Sequence, residues 1–340
     1  MRGHGKGNRM KYDNGAVMDG IFRKIREYDS IVLFRHRRVD GDCVGATRGF
    51  ERMLKLTWPE KRVRISDAQS SSRLAFAGME GILVPEEELK TSLGIVLDTA
   101  DRDRVSDKRF LSCREVIKID HHIEKDPYGD VNWVEEERSS VCEMCAAFYS
   151  RYSDTLRLDG EGAGYFFMGM VTDSGRFRFS GTDGDTLRLA GMLLDLGVDT
   201  GRLYSNLYLR EMNEWKYRAW VYENMTMSPG GCVRIYIDKK IRERFKLDAE
   251  AAAAVVSLME NIRGCLVWLA FIETDGEDGE IRVRLRSRSV RCDGLASRWR
   301  GGGHAFASGA TVYSREEADR LTEEADEMCA EYKRTHTDWM

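Results

Sequence analysis

The segment VIKIDHHIEKDPYGD, residues 116–130, changes from apolar to metal-binding side chains within a few positions. Its first residues have the β-branched character of a buried strand, and that strand ends on Asp120, His121 and His122. Three further segments have the same short apolar character: SIVLFRH (30–36), KRVRISD (61–67) and LGIVLDT (93–99). Longer stretches with helical periodicity lie between them. Short apolar strands that alternate with helices predict an α/β fold with a mostly parallel sheet covered on both faces.

At the ends of three of these four segments lie His36, Asp98 and Asp120. In an open α/β sheet, ligands bind outside the carboxyl ends of the strands. More acids lie close to these ends or at the end of an apolar helix, and they are Asp40, Asp42 and Asp173. Each of these acids, taken alone, could equally be a helix N-cap and not a ligand. The set as a whole predicts an active site at one edge of the sheet.

Carboxylates and imidazoles in this proportion suit a pair of divalent cations. We expect Mn²⁺, with Mg²⁺, Co²⁺ or Zn²⁺ as competitors. Two such ions bridged by one carboxylate can bind a phosphoryl group and activate a water for in-line attack, so the set predicts phosphoester hydrolysis. Gly41, between Asp40 and Asp42, is expected to let the backbone turn so that both carboxylates point inward.

The second half of the chain predicts a second, smaller α/β domain. Its segments are CVRIYID (232–238), the helical AEAAAAVVSLMENI (249–262), CLVWLAFIE (265–273), a turn TDGEDGE (274–280), IRVRLRSRS (281–289) and an amphipathic helix SREEADRLTEEADEMCAEYKR (314–334). The expected boundaries are a catalytic domain over 16–185, a helical linker over 186–225 and a substrate-binding domain over 226–335.

Composition limits the partners and the location of the protein. The 340 residues include 53 Lys plus Arg and 57 Asp plus Glu, for a formal net charge of −4, which argues against long duplex DNA as a partner. Residues 1–15 contain no apolar core of a signal peptide, and no run is long enough to span a bilayer, so we expect a cytoplasmic protein with no membrane partner. The eight scattered cysteines are expected to be reduced core thiols, including the Cys142 and Cys145 pair.

Five motifs together resemble a known family. HRRVDGD (36–42), LDTAD (97–101), IDHH (119–122) and TDSGRFRF (172–179) resemble, in order, the four motifs of the DHH phosphoesterase superfamily, and GGGHAFASGA (301–310) resembles the glycine signature of the DHHA1 substrate domain. The resemblance spans about residues 30–315 and is strongest to oligoribonucleases of the nanoRNase type, which also act as phosphatases on 3′,5′-bisphosphate nucleotides. It implies an N-terminal DHH domain and a C-terminal DHHA1 domain.

The resemblance also implies a role for each residue of the first domain. His36 and Asp40 are expected on one metal, Asp42, His121 and Asp173 on the other, and Asp98 between them. His122 is expected to face the substrate phosphate as a charge stabiliser or proton donor, and Asp120 to orient a ligand histidine from behind. Val39 stands where family members usually carry a proline, and because that proline is not a ligand, we expect the chemistry to survive.

In the second domain, the resemblance implies that Arg286, Arg288, Gly302, Gly303 and His304 contact the substrate. Alternation along the predicted strand, which also includes Arg291, places the even-numbered Arg282, Arg284, Arg286 and Arg288 on one face. Arginine forks suit phosphates, although charges on an edge strand can also simply prevent aggregation. The sequence HAFASG replaces the commoner HKNAAG of the family, which affects the expected substrate preference.

The sequence therefore predicts a manganese-dependent phosphodiesterase that degrades short single-stranded RNA or linear dinucleotides to mononucleotides, with 3′-phosphatase activity on bisphosphate nucleotides as a second expected activity. A pyrophosphatase or polyphosphatase with the same metal motifs is one alternative, and a non-catalytic nucleotide sensor is another. A sheet edge or helix of the first domain could support a homodimer.

Overall fold

The computed structural model describes residues 14–67, 69, 72–78, 82–276 and 279–337. Residues 1–13, on which the signal-peptide prediction rests, lie outside the described residues, as do two positions of the predicted turn over 274–280. The chain divides into two compact units, with the boundary after Leu209. Within the described ranges, no helix is both long enough and apolar enough to cross a membrane.

The first unit alternates strands with helices. Its elements are α1 (Gly15–Glu27), β1 (Ser30–Phe34), α2 (Gly41–Thr57), β2 (Arg62–Ile65), α3 (Glu86–Leu89), β3 (Leu93–Leu97), β4 (Glu115–Asp120), β5 (Val131–Val134), α4 (Val141–Arg151), α5 (Gly160–Asp173), α6 (Gly184–Asp195) and α7 (Thr200–Tyr208). Short 3-10 helices add Ser72–Ala77, Arg102–Arg104 and Lys108–Ser112.

All five strands belong to one parallel sheet, in the order β2-β1-β3-β4-β5. The predicted parallel sheet is therefore confirmed, and the four predicted strands are β1 to β4. The register pairs Phe34 with Val96 and Leu97 with Ile119, so the carboxyl ends of β1, β3 and β4 lie side by side. The fifth strand was not predicted, because its four residues include a polar Asn132 and only Trp133 is fully buried.

Apolar side chains cover both faces of this sheet. Ile31 and Leu33 point into the larger core, which includes residues of α1, α2, α4, α5 and α6. Val32 and Phe34 alternate onto the opposite face and pack with Phe110 in a smaller core. Because short segments such as α3 cover this second face, the sheet carries its long helices on one side.

Glycines allow α2 to lie directly against α5. A Cβ atom at Gly41 would overlap Thr172 Oγ1, and one at Gly45 would overlap the carbonyl oxygen of Tyr165. Our expectation of a turn at Gly41 was wrong, since this residue is the first of α2 and its φ is not positive. The missing side chain instead brings the N-terminus of α2 close to the C-terminal end of α5.

The second unit has its own mixed sheet. Its elements are α8 (Met212–Asn224), β6 (Thr226–Met227), β7 (Cys232–Ile237), α9 (Lys239–Arg244), α10 (Ala249–Ala253), β8 (Val267–Glu273), β9 (Ile281–Ser287), α11 (Asp293–Arg298), β10 (Gly302–His304), β11 (Ala307–Val312) and α12 (Arg315–Thr335). The strand order is β10-β11-β9-β8-β7-β6, and of the described pairs only β7 and β8 run parallel. The predicted smaller α/β domain is confirmed, with one apolar cluster on each face of its sheet.

The helical stretch predicted as a linker, 186–225, contains most of α6 and all of α7 and α8. Leu193 and Leu207 belong to the core of the first unit. Tyr217 and Val221 belong to a core of the second unit. The helices of this stretch are therefore shared between the two cores, and the expected domain boundaries stay predictions.

Candidate metal centre

The six predicted metal ligands converge at the carboxyl edge of the first sheet. His36 follows β1, Asp98 follows β3 directly, and His121 follows Asp120, the last residue of β4. The remaining acids come from the helices that close over this edge: Asp40 and Asp42 from the start of α2, and Asp173 from the end of α5. The close contact between α2 and α5 thus brings acids from opposite ends of two helices together.

His36 forms the first group of ligands with Asp40 and Asp98. Its Nε2 atom lies 3.3 Å from Asp40 Oδ2 and 3.3 Å from Asp98 Oδ2. Its Nδ1 atom lies 2.8 Å from the carbonyl oxygen of Arg37, which can only accept a hydrogen bond. Nδ1 is therefore the donor, and Nε2 is the atom directed at the carboxylates.

His121 forms the second group with Asp173 and Asp42. Its Nε2 atom lies 3.3 Å from Asp173 Oδ2, and its Nδ1 atom lies 3.1 Å from the carbonyl oxygen of Arg138. That carbonyl orients the imidazole as Arg37 orients His36. Buried ion pairs of Arg138 with Glu135 and Glu143 hold this segment in place, and this support was not predicted from the sequence.

Asp98 lies between the two groups. Its Oδ2 atom faces His36, and its Oδ1 atom lies 3.7 Å from Nε2 of His121. Asp98 is 2% exposed, and Oδ1 has no hydrogen-bond partner. A buried carboxylate oxygen without a donor is costly, so the donor set fits a cation on each side of Asp98. The residue also has a left-handed φ of 58°, a strained conformation typical of functional sites.

Asp40 and Asp42 each accept hydrogen bonds at the N-terminus of a helix. The same acid can therefore be both a helix cap and a candidate metal ligand. Asp40 Oδ1 accepts from the backbone N–H groups of Asp42 and Cys43, which leaves Oδ2 facing His36. Asp42 accepts from Val141 N–H at 2.7 Å and from Cys142 N–H at 2.9 Å, in the first turn of α4. Helix caps therefore place both carboxylates.

The two histidines have raised pKa values. Burial lowers the pKa of both imidazoles, but the carboxylates outweigh it. Hydrogen bonds to Asp40 and Asp98 raise the pKa of His36. Asp173, with the charges of Asp42 and Asp98, raises the pKa of His121 to about 10. In the metal-free protein, the protons on both imidazoles supply the positive charge that a bound divalent cation would supply to the carboxylates.

The carboxylates divide into two classes. Burial raises the pKa of Asp40, but the hydrogen bond and charge of His36 lower it overall to about 2. Burial and the neighbouring carboxylates, Asp98 foremost, raise the pKa of Asp42 and of Asp173. The site therefore has an excess of negative charge, which favours cation binding.

His122 also lies close enough to Asp98 and His121 to form a candidate metal-binding group with them, and Asp120 stands behind it. His122 Nδ1 lies 2.8 Å from Asp120 Oδ1 and 3.5 Å from Asp98 Oδ1. Asp120 is fully buried and also accepts from the backbone N–H of His121. Since Asp120 takes Nδ1 of His122, the Nε2 atom is left for a substrate. The structure thus places Asp120 behind His122, whereas we expected it behind a ligand histidine.

Cys43 was not predicted as a member of the site. It lies within ligand distance of His36, Asp40 and Asp98. Burial raises the pKa of its thiol to about 12, and its sulfur exchanges hydrogen bonds with the backbone of Asp40. Cys43 is therefore a thiol that supports the helix cap. All eight cysteines are free and buried, as expected.

The candidate substrate residues lie in the second unit, and two of them, Arg286 and His304, lie on one row of its sheet. His304 of β10 pairs with Ala307 of β11, and Ala307 pairs with Arg286 of β9, so all three share a face. Arg286 is half-buried and donates to the carbonyl oxygens of Leu285 and Ser308. In this row the small side chain of Ala307 stands between the imidazole and the guanidinium.

The other arginines lie outside the row formed by His304, Ala307 and Arg286. Arg288 lies past the end of β9, exposed, and donates to the carbonyl oxygen of Glu260. Arg282 and Arg284 pair with Glu280 and Glu250, as expected of a charged strand surface. The predicted alternation of arginines is observed, because the odd-numbered residues from 281 to 287 are buried.

Gly302 and Gly303 are exposed residues of β10, a strand that was not predicted. Gly303 has a φ of 145°, and a Cβ there would lie 2.7 Å from the carbonyl oxygen of Ala307. A Cβ at Gly302 would meet no atom within 4 Å. The glycine signature therefore forms a tight hairpin with β11, and its backbone approaches that strand at Gly303.

Comparison with known proteins agrees with the two-unit structure. Residues 30–170 match the DHH family, N-terminal domain, and residues 235–331 match the DHHA1 domain. The bifunctional oligoribonuclease and PAP phosphatase of Bacillus subtilis (strain 168) is 36% identical over 315 residues, covering 92% of this chain and 99% of that protein. A probable enzyme of the same description from Streptococcus mutans is 34% identical, covering 89% and 96%.

A solved structure also shares the fold. The crystal structure of an exopolyphosphatase-related protein from Bacteroides fragilis superposes with a TM-score of 0.82 at 24% identity, covering 96% of this chain and 99% of that one. This likeness shows the shared fold. The sequence relatives and the two domain matches lead to one assignment: this chain belongs to the DHH/DHHA1 family of phosphoesterases.

Proposed function

We propose that this chain is a two-metal phosphoesterase that hydrolyses short oligoribonucleotides or linear dinucleotides to mononucleotides. It also removes the 3′-phosphate of 3′,5′-bisphosphate nucleotides. The names of the Bacillus subtilis and Streptococcus mutans relatives combine these two activities, and the chain covers 99% and 96% of their lengths. Family membership and full-length similarity support the proposal.

One observation carries the reaction type. The two oxygens of Asp98 face His36 and His121, each of which belongs to a separate group of ligands. A single buried carboxylate shared by two groups is the arrangement that a pair of bridged cations requires. When bound, the two cations supply charge neutralisation at a phosphoryl group and activation of water.

The residues of the chain have distinct tasks in this reaction. His36, Asp40 and Asp98 would hold the first cation, and Asp42, His121 and Asp173, with Asp98, would hold the second. The carbonyl oxygens that fix Nδ1 of both histidines keep Nε2 directed at the cations. His122 donates a proton or hydrogen bond from Nε2 to the phosphate, because Asp120 engages Nδ1.

The second unit binds the nucleotide. Arg286 and His304 lie on one face with Ala307 between them, which suits one phosphate and one stacked base. Arg288, Gly302 and Gly303 complete the proposed contact surface. The near-neutral charge of the chain agrees with a small substrate.

The ion that we propose is Mn²⁺, because mixed carboxylate and imidazole ligands suit it better than Mg²⁺. Co²⁺ and Zn²⁺ are the competitors. The exclusion of long duplex DNA, the cytoplasmic location and the homodimer stay predictions from the sequence.

The two alternatives are less well supported. A pyrophosphatase or polyphosphatase would use the same metal motifs, but the sequence relatives at 36% and 34% identity are named as oligoribonuclease and PAP phosphatase. A non-catalytic sensor would have no need for a complete set of ligands, and all six candidate ligands are present and close together.

The test is release of mononucleotide from a 5′-labelled diribonucleotide with Mn²⁺, repeated with adenosine 3′,5′-bisphosphate and with pyrophosphate. We expect turnover of the first two substrates and none of the third. Asp98→Asn should abolish turnover with a loss of at least about 1000-fold in kcat, since both cations lose a shared ligand. Asparagine tolerates the left-handed φ of this position, so the variant should fold.

Asp101→Asn is the matched control. It makes the same charge change three residues further along the same loop, outside the ligand groups found among the described residues. This variant should retain the native kcat. A native chain that leaves both nucleotide substrates intact contradicts the proposal, and tight binding without turnover would favour the sensor.

A further inference from the structure

Lys118 is a charged residue in the middle of an otherwise apolar strand. It belongs to β4, and its side chain is 0% exposed. Its Nζ atom donates to the carbonyl oxygen of Ala100 at 2.9 Å and to that of Asp126 at 3.2 Å. It also lies 3.5 Å from Asp120 Oδ2 and 5.0 Å from the ring centroid of Tyr128.

These partners belong to the two loops that carry the proposed chemistry. Ala100 lies two residues after Asp98, and Asp126 lies four residues after His122. Lys118 therefore joins the loop after β3 to the loop after β4. The hydroxyl of Tyr128 adds a parallel link, because it donates to the carbonyl oxygen of Thr99 at 2.9 Å.

Lys118 also supplies the charge that Asp120 needs. Oδ1 of Asp120 accepts from His122 Nδ1 and from the backbone N–H of His121. Oδ2 is buried, and Lys118 is the cation that faces it. A buried carboxylate needs hydrogen-bond donors or a counter-charge, and Lys118 supplies the counter-charge beside Oδ2 of Asp120.

We propose that Lys118 is a positioning residue for His122. By holding Asp120 and by joining the two loops, it keeps the imidazole oriented so that Nε2 faces the substrate phosphate. This inference rests on the proposed function, because it assigns Lys118 a role only through the action of His122 on the substrate.

Lys61 provides a matched comparison. It is 9% exposed and donates to the carbonyl oxygens of Arg26 at 3.1 Å and Tyr28 at 2.6 Å, and its Nζ lies 5.8 Å from the Trp58 ring centroid. Like Lys118, it therefore donates to two backbone carbonyl oxygens and lies near one aromatic ring. It lies just before β2, at the amino end of the strands. Among the described residues, no carboxylate forms an ion pair with Lys61.

The experiment compares Lys118→Met with Lys61→Met. Both variants remove two hydrogen bonds, so both should lower the melting temperature. Lys118→Met should lower kcat for diribonucleotide hydrolysis by about 10- to 100-fold with KM within about twofold, the size of effect expected when support behind a reacting group is lost. Lys61→Met should retain the native kcat.

A double-mutant cycle separates positioning from general damage. In a His122→Ala background, Lys118→Met should change kcat by less than about twofold, because the residue through which it acts is already absent. A full multiplicative loss in that background would overturn the proposal, as would an equal fall in kcat for Lys61→Met. If Lys118→Met does not fold, Lys118→Arg takes its place. It should keep kcat within about tenfold of native, and a folded Arg variant as inactive as His122→Ala would overturn the proposal.

Histidine ¹⁵N spectra of the metal-free protein give a readout that does not depend on activity. The Nδ1 resonance of His122 should shift in Lys118→Met and stay unchanged in Lys61→Met. If the native chain hydrolyses none of the substrates, the proposed function fails. These spectra still decide whether Lys118 orients His122, and an unshifted resonance would overturn that assignment.

Discussion

The metal centre of the first unit and the glycine hairpin of the second unit are built in opposite ways. His36 and Asp98 are 3% and 2% exposed, and both have defined partners. Gly302, Gly303 and His304 are exposed on a three-residue strand at the edge of a sheet. Bond cleavage requires fixed positions, since small displacements of reacting groups are costly, whereas a surface that accepts different bases can be open. We therefore expect changes in the first region to act on kcat and changes in the second to act on KM.

After Asp98, the largest effect should come from a ligand that belongs to one group only. Asp173→Asn removes a carboxylate that faces His121, so the protein should bind one Mn²⁺ in place of two and lose about 100- to 1000-fold in kcat. Isothermal titration gives the stoichiometry. Asp195→Asn is the control, because Asp173 and Asp195 are the last residues of α5 and α6, and Asp195 is exposed. Two bound ions in Asp173→Asn would contradict the assignment.

The second effect is a pH dependence of metal binding. The pKa of His121 is raised to about 10, and the pKa of His36 is raised as well, so protons occupy the ligand atoms at neutral pH. Mn²⁺ must displace these protons, and its affinity should rise from pH 6 to pH 9 by about tenfold per pH unit for each proton released. Titrations in buffers of different ionisation enthalpy measure the release. An affinity that does not change with pH would show that the histidines are neutral before binding.

The same shifts have a consequence for the metal-free fold. A histidine whose folded pKa is above its unfolded value stabilises the protein fully below about pH 6.5, the unfolded pKa. His121 should lose that contribution as the pH rises toward 10. The free energy of unfolding of the metal-free chain should therefore fall between pH 6.5 and 10, as urea denaturation can measure. Saturating Mn²⁺ should remove or reverse this trend.

Substitutions in the second region should have smaller effects and a different kinetic signature. Arg286→Gln and His304→Ala should each raise KM about tenfold, since each removes one phosphate or base contact, and leave kcat within about threefold. Arg282→Gln is the control, because it lies on the same face of β9 and pairs with Glu280. A fall in kcat with unchanged KM would place these residues in the chemistry and would break the comparison.

The smallest effect concerns the stability of the hairpin. Gly303→Ala places a side chain at a φ of 145°, against the backbone of Ala307 and Ser308, and should lower the free energy of unfolding by about 1–3 kcal/mol. Gly302→Ala meets no atom within 4 Å and should change it by less than about 0.5 kcal/mol. Urea denaturation of the two variants decides between them. Equal losses of unfolding free energy in the two variants would mean that the stability of the hairpin depends on the conformational freedom of the whole glycine run.

The sequence predicts the first region well because its signals are local. Apolar strands that end on acids and histidines place these side chains at one edge as soon as the sheet is parallel, and the candidate ligands lie together at that edge. The role of Gly41 was misjudged, because a glycine between two acids has the same local pattern whether it forms a turn or a helix contact. Only the packing partner, Thr172, distinguishes the two.

Other features depend on contacts that are distant in sequence. The strand β5 and the hairpin of β10 and β11 are short, and their pairing is set by neighbouring strands. The support of His121 by the Arg138 carbonyl joins residues 17 positions apart and has no motif. The sequence did contain a signal for Lys118, because a lysine within an apolar central strand is rarely buried without a partner.

The helix caps made by Asp40 and Asp42 have a consequence for a cell that is short of manganese. Because backbone N–H groups of α2 and α4 hold these carboxylates, the ligands are placed by folding itself. We expect newly made protein to accumulate as a folded, empty enzyme during starvation and to become active when the ion returns, without new synthesis. If Mn²⁺ is the ion, as proposed, its supply would then set the fraction of the folded protein that is active.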